Sequence, residues 1–315
     1  MKTQSSNYDV IIVGAGAAGL SAGIYCSRKR LSTIILSVDI GGQTNLTNHI
    51  ENYPGAGAQP GPELMEKFAS EARKFGSEIA MGELVGLQKL ENGTFQISTK
   101  DGTQLKSRAV ILAFGSIPRK LGIPGEEKFF GRGVSVCTTC DAPLFRGKVT
   151  AVVGGGNSGV EGALELDSIA KKAYLLQRGP ILTADQVSVE KLKNAKNVEV
   201  LLNAEVLEIL GDKSVKAVKV KVDGKATEIP IDGLFIEIGY EVKTDFLKGL
   251  LKINERNEIV TDNTGRTSVP GIFAAGDVTS VPYKQTIISA GEGAKAALEC
   301  FKYLSEGNET EPDWR

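Results

Sequence analysis

The stretch Tyr8-Asp9-Val10-Ile11-Ile12-Val13-Gly14-Ala15-Gly16-Ala17-Ala18-Gly19 decides the fold. Its first six residues form a mostly apolar, β-branched run, the pattern of a buried parallel strand. The glycines at 14, 16 and 19 then follow the G-x-G-x-x-G spacing. In that motif the first glycine permits the tight turn, the second lets a pyrophosphate approach the backbone, and the third lets helix pack on strand. Leu20 to Arg28 reads as the helix whose N-terminal N–H groups receive the phosphates. Thr33-Ile34-Ile35-Leu36 reads as the second strand. Asp39 lies 20 residues past Gly19, where an acid is expected on a ribose hydroxyl. A lone glycine motif is a weak signal that also fits a turn without a ligand. Strand, helix and acid around it make it specific.

The unit recurs. Val149 to Val153 reads as a strand, Gly154-Gly155-Gly156-Asn157-Ser158-Gly159 follows, and a helix is expected from about Val160 to Ala170. Ala173 to Leu176 is the next strand. The two motifs lie 140 residues apart, one domain length and far outside the period of a solenoid repeat. The expected fold class is therefore α/β, with two Rossmann-like three-layer dinucleotide-binding domains. At the second motif the ribose reader falls at Gln177 and Arg178, and no acid stands there. Arg178 either meets a 2′-phosphate or is a solvated surface charge.

Between and after the motifs the pattern gives a hairpin from Thr94 to Leu105 across Asp101-Gly102, and a buried strand Val110-Ile111-Leu112-Ala113-Phe114 ending at the Gly115 turn. Leu234 to Ile238 and Ile272 to Ala275 repeat the strand-to-glycine pattern, ending at Gly239 and Gly276. A helix is expected from Thr286 to Leu304, with a frayed polar tail from Ser305. Pro118 and Pro124 bracket a crossing between domains.

Composition narrows the class. A chain of 315 residues suits two domains. Lys+Arg 37 against Asp+Glu 38 leaves a net charge of -1, which argues against a nucleic-acid binder and gives no electrostatic membrane anchor. No apolar run of about 18 residues is present, and Met1 to Asn7 lacks the apolar core of a signal peptide. A cytoplasmic protein with no membrane partner is expected.

Cys137-Thr138-Thr139-Cys140 is a C-x-x-C pair, which suits redox or metal chemistry in a reducing compartment. A structural zinc needs four ligands. The other candidates, Cys26, Cys300 and His49, are scattered, so no metal is expected. A redox pair needs an acid–base partner. Asp141 is the candidate, unless it is only a turn residue before Pro143. Cys26 and Cys300 read as buried small hydrophobes, and His49 as a loop residue.

With Gly41-Gly42-Gln43, Glu51-Asn52-Tyr53-Pro54-Gly55, Phe273-Ala274-Ala275-Gly276-Asp277 and Tyr283-Lys284-Gln285 added, the chain resembles the low-molecular-weight thioredoxin reductases from about Tyr8 to Leu304. The resemblance implies a homodimer in which residues 1–118 and 245–315 form an FAD-binding domain. Residues 119–244 would form an inserted pyridine-nucleotide domain carrying the C-x-x-C. It implies FAD contacts at Gly14, Gly16, Ala17, Gly19, Asp39, Gly42, Gln43, Asn52, Gly115, Asp277, Lys284, Gln285 and Thr286. It implies NAD(P)H contacts at Gly154, Gly156, Asn157, Ser158, Gly159, Gln177 and Arg178. Cys137 would be the interchange thiol, Cys140 the flavin-proximal one and Asp141 the acid–base. Hinges near Arg119-Lys120 and Tyr240 to Thr244 would let the middle domain rotate.

One departure matters. NADPH-specific members carry His-Arg-Arg after the second domain's βαβ strand and a further Arg later. This chain has Gln177-Arg178-Gly179 and Thr183. At Leu175-Leu176-Gln177, with Ala184-Asp185-Gln186-Val187 and Val281-Pro282-Tyr283-Lys284-Gln285, it is instead similar to the flavoprotein component of alkyl hydroperoxide reductase, which uses NADH and places a Glu where Gln177 stands. NADH is therefore expected over NADPH. With seven residues before the first strand, the chain is expected to lack that relative's N-terminal dithiol domain. Its electrons would then pass to a separate thioredoxin or glutaredoxin-like protein. The competing readings are a ferredoxin-linked disulfide reductase, a flavin-dependent thiol oxidase and a redox-sensing FAD module.

Overall fold

The computed structural model describes residues 7–46 and 50–305. They form two compact units. One takes the chain up to Ile117 and again from Glu241; the other is the inserted segment Pro118–Tyr240. Among the described residues, no helix is long and apolar enough to cross a membrane. His49 and the tail beyond Ser305 lie outside the described residues.

The first unit opens with β1 (Asn7–Ala15), α1 (Ala17–Arg28) and β2 (Thr33–Ile40), followed by α2 (Gly61–Lys74), β3 (Glu78–Met81), β4 (Leu84–Lys89), β5 (Phe95–Thr99) and β6 (Gln104–Leu112). β1 pairs in parallel with β2 on one side and β6 on the other. Its side chains alternate between two cores. Val10, Ile12 and Ala15 pack with residues of α1 and α2, while Ile11 and Val13 join the core on the opposite face. A strand buried on both faces has no polar side to show, which is why its sequence is nearly continuous in apolar residues.

Helix α1 begins three residues earlier than the apolar pattern suggests, at Ala17, with Gly16 as its N-cap. The small residues of the glycine motif are themselves the first turn. β2 likewise runs four residues past Leu36, to Ile40. The expected separate strands around Leu105 and Val110 are one strand, β6, whose outer edge changes partner midway. Gln104 to Ser107 pair antiparallel with β5, and Val110 to Leu112 pair in parallel with a later strand from the C-terminal part of the chain. The change of partner breaks the pattern in two.

The chain leaves the unit through β7 (Ile117–Pro118) and returns through β16 (Tyr240–Glu241). The inserted unit holds α3 (Glu126–Phe129), β8 (Val134–Ser135), α4 (Thr138–Asp141), β9 (Val149–Val153), α5 (Asn157–Ile169), β10 (Lys172–Leu176), α6 (Gln186–Lys193), β11 (Val198–Leu201), the strands β12 (Ala204–Gly211), β13 (Val215–Val222) and β14 (Lys225–Pro230), and β15 (Gly233–Ile236). Its parallel sheet has the order β11-β10-β9-β15-β8. Val152 of β9 faces the core shared with α5. Ala151 and Val153 face the antiparallel sheet β12-β13-β14. That gives three layers: helices, parallel sheet, antiparallel sheet.

Back in the first unit, β17 (Ile272–Ala274) completes the seven-stranded sheet, and α7 (Thr286–Leu304) packs on α1. The packing is backbone-close at Gly293, where a Cβ would lie 2.0 Å from Ala18 O. Replacing Gly293 by Ala forces the two helices apart. We expect a loss of about 1–3 kcal/mol in urea unfolding followed by far-UV circular dichroism, whereas Gly291→Ala on the same helix, with open space around it, should cost nothing measurable.

Candidate redox and nucleotide sites

Each glycine motif makes a cradle by the same geometry. In the first unit Gly14 has φ +106°, and a Cβ at Gly19 would stand 1.8 Å from Gly14 O. Only glycine fits there, because helix and turn are in backbone contact. Gly16 differs: nothing lies within 4 Å of where its Cβ would be, and Gly42 faces it with its own Cβ position 3.7 Å from Gly16 Cα. The first turn of α1, which includes Ala17, carries no acid. Its first N–H groups, which have no carbonyl partner within the helix, and its positive end suit a phosphate.

Around this cradle the structure collects distant parts of the chain. Gln43 Nε2 donates to Ser116 O (2.8 Å) and to Asp277 Oδ2 (3.3 Å). Ser116 follows Gly115, whose φ of +72° turns the chain at the end of β6. The Ser289 hydroxyl donates to Asp277 Oδ1 at 3.1 Å. Burial raises the Asp277 carboxyl above its ordinary range, opposed by the Lys284 charge and the Ser289 bond. Lys284 Nζ donates to Asp277 O and Thr279 O and pairs with Glu258 at 3.1 Å. Asn52 Nδ2 donates to Gln285 Oε1 (3.2 Å), and the Thr44 and Thr286 hydroxyls lie 3.2 Å apart. Gln285 caps α7, whose first turn holds no acid. In the same 3-10 turn as Gln43, Asn45 Oδ1 is buried without a hydrogen-bond partner. Open cradle, free helix end and unsatisfied amide oxygen together fit a large polar cofactor such as FAD.

Asp39 joins the cradle at Gly42. It is exposed near the end of β2, and its Oδ1 accepts the Gly42 N–H at 3.0 Å, closing the turn. Ser37 of β2 also touches the motif, its buried hydroxyl accepting the Ala15 N–H at 3.0 Å. Ser37, Thr44, Ser116 and Ser289 carry no sequence signal; hydroxyls are common, and only the fold brings these together.

The inserted unit repeats the cradle. A Cβ at Gly159 would stand 2.0 Å from Gly154 O, while that of Gly156 meets only Thr183 Oγ1, at 3.9 Å. Helix α5 starts at Asn157, again earlier than its apolar pattern, with Gly156 as N-cap and no acid in its first turn. Asn157 and Ser158 are exposed there. Asn157 exchanges hydrogen bonds with Asp185, Nδ2 to Oδ2 at 3.0 Å and Asp185 N–H to Oδ1 at 2.7 Å. Gln177 folds back over the motif: Nε2 donates to Ile181 O (2.9 Å), and its side chain occupies the space a Cβ on Gly155 would need. Arg178 is exposed.

Cys137 and Cys140 are joined as a disulfide, with Cα atoms 5.3 Å apart. Cys137 caps the four-residue α4. The Ser135 hydroxyl oxygen accepts the Cys137 N–H (3.1 Å), and Asp141 N–H donates to Cys137 O (3.2 Å). Asp141 is therefore placed in the same turn as both sulfurs. One residue missed from the sequence is Glu237, whose Oε1 accepts both the N–H and the hydroxyl of Thr138. Its signal is legible: a single acid at the end of the apolar run Leu234-Phe235-Ile236. The other two cysteines, Cys26 and Cys300, are buried, and contact between them together with burial pushes the Cys300 thiol well up.

Comparison with known proteins places these features together elsewhere. Residues 8–296 match the family described as pyridine nucleotide-disulphide oxidoreductase. The chain is 40% identical over 303 residues to an alkyl hydroperoxide reductase component of Pseudomonas putida, covering 94% of this chain and 58% of that protein. The chain thus spans under two thirds of the length of the curated relatives it matches. A crystal structure of thioredoxin reductase from Streptococcus pyogenes superposes with TM-score 0.89 at 35% identity, covering 96% of this chain and 99% of that one. Thioredoxin reductase from Giardia duodenalis gives 0.88 at 34%, covering 95% and 99%.

The two classes of motif glycine separate close packing from open space. Gly159→Ala should lower unfolding stability by about 1–3 kcal/mol. Gly156→Ala should leave stability within about 0.5 kcal/mol yet weaken nucleotide binding, measured by calorimetric titration with NADH.

Proposed function

The chain belongs to the pyridine nucleotide-disulphide oxidoreductase family, and we propose that it carries electrons from NADH through FAD to the Cys137–Cys140 disulfide, and from that dithiol to the disulfide of a thioredoxin or glutaredoxin-like protein. The observation that carries the reading is the disulfide-bonded C-x-x-C in the same compact unit as an open nucleotide cradle. Gly14, Gly16, Ala17, Gly19, Gly42, Gln43, Asn52, Gly115, Asp277, Lys284, Gln285 and Thr286 would hold FAD, with Asp39 at the turn beside them. Bound FAD supplies a two-electron relay between a nicotinamide hydride donor and a disulfide. The α7 N-terminus at Thr286, free of acids, favours negative charge nearby.

The protein's own chemistry is thiol–disulfide exchange. The Cys137 thiolate attacks one sulfur of the partner disulfide, forming a mixed disulfide and displacing the other partner sulfur, which takes a proton. The Cys140 thiolate then attacks Cys137 Sγ, re-forming the internal disulfide and releasing the second partner thiol. Two electrons leave with the partner and the dithiol is oxidised. Asp141, in the same turn, hands on the protons.

Gln177 and the lone exposed Arg178 support NADH as donor. One arginine gives a 2′-phosphate a single cationic partner, where NADPH-specific members of the resembling family offer His-Arg-Arg and a further Arg. The identity to the alkyl hydroperoxide reductase component supports a second reading, in which the recipient disulfide belongs to a peroxide-reducing protein. A homodimer in the cytoplasm is part of the proposal and rests on the family likeness.

Anaerobic stopped-flow reduction tests the donor. We expect NADH to bleach the flavin band at least about tenfold faster than NADPH, roughly 1.4 kcal/mol in the barrier. The reverse order would overturn the NADH assignment, and no bleaching by either would overturn the nicotinamide reading in favour of a ferredoxin-type donor.

A further inference from the structure

Strand β15 is buried throughout, and the chain leaves it at Glu237. The Glu237 N–H donates to Val153 O at 2.9 Å, which keeps the residue beside β9. Its carboxylate turns toward the cysteines. Oε1 accepts the Thr138 N–H at 2.9 Å and the Thr138 hydroxyl at 2.8 Å. Thr138 is buried and directly follows Cys137. Its hydroxyl fits because α5 presents Gly162, where a Cβ would lie 2.7 Å from Thr138 Oγ1. A second carboxylate, Glu165 on α5, lies near Thr139, and burial raises it above its ordinary range. Of the two residues between the cysteines, Thr138 is the one held by an acid.

We propose that Glu237 is a positioning residue of the Cys137–Cys140 centre: through Thr138 its carboxylate fixes the first turn of α4, and its negative charge opposes thiolate formation on the reduced dithiol. The proposal deepens the disulfide-reductase reading and rests on it. Two negative charges close together in a partly buried site disfavour each other. An ionised Glu237 therefore raises the pH at which the Cys137 thiol loses its proton to solvent, and a neutral one lowers it. The charged group beside Glu237 is Glu165 on α5; α4 meets it through Thr138, next to Cys137, and β9 meets it with backbone. Burial holds the Glu237 carboxyl above its ordinary range. The two Thr138 bonds oppose that shift and the Glu165 charge adds to it.

The test is the pH profile of thiol alkylation. The full-length protein is reduced with dithiothreitol, freed of it, and pulsed anaerobically with iodoacetamide from pH 5 to 10. Modification of the Cys137 peptide is read by mass spectrometry. Glu237→Gln keeps an oxygen to accept from Thr138 and removes the charge, so its midpoint should fall by about one unit. Thr138→Val removes a bond to the ionised carboxylate, so Glu237 ionises less, and the midpoint should fall by a smaller amount. A Glu237→Gln profile that superimposes on the wild type overturns the proposal. If that variant does not fold, an unshifted Thr138→Val profile does so. A wild-type Cys137 that stays unmodified at every pH after reduction would instead overturn the reading beneath it.

Discussion

A Cβ at position 19 would lie 1.8 Å from Gly14 O, and one at position 159 would lie 2.0 Å from Gly154 O. That backbone contact between turn and helix is the constraint on which both units depend. It fixes how a strand buried on both faces hands the chain to a helix, and it leaves the helix N-terminus uncovered. The next glycine back, 16 or 156, has no such neighbour, so the space beside it is available to a ligand. One glycine thus closes the packing and the other leaves the space that the proposed nucleotide would fill, a few residues apart.

From that constraint the rest of each unit follows. β1 and β9 each lie between parallel neighbours and bury both faces, which demands a layer on each side. In the first unit the second layer comes partly from the returning chain, whose β17 joins β6 and whose α7 lies on α1. The same return brings Asp277 and Gln285 to Gln43 and Asn52, more than 230 residues away in sequence. In the inserted unit the antiparallel sheet covers the face opposite α5. The segment carrying the cysteines runs between β8 and β9, anchored by Ser135, Glu237 and the glycine at 162.

Much of this is legible in the sequence, for physical reasons that differ by residue. The glycine motifs, the flanking β-branched runs and the C-x-x-C declare themselves because few other residue types satisfy those positions. The helix starts read late because the first turn of α1 and α5 is made of small motif residues with no apolar face. β6 reads as two strands because its edge partner changes at mid-length. Asp39, singled out by its distance from Gly19, binds its own turn. The hydroxyls of Ser37, Ser116 and Ser289 meet their partners through tertiary packing alone. Glu237 stands out as one charge ending an apolar strand, yet nothing local says which group it faces.

The central claim is that reducing equivalents from NADH arrive at Cys137 and Cys140. The most direct measurement reduces the full-length, FAD-loaded protein anaerobically with NADH, quenches with an alkylating agent and maps the labelled cysteines by mass spectrometry. The account predicts label on both Cys137 and Cys140 after NADH and on neither before it, with Cys26 and Cys300 unchanged. A bleached flavin with the Cys137–Cys140 disulfide intact would contradict it.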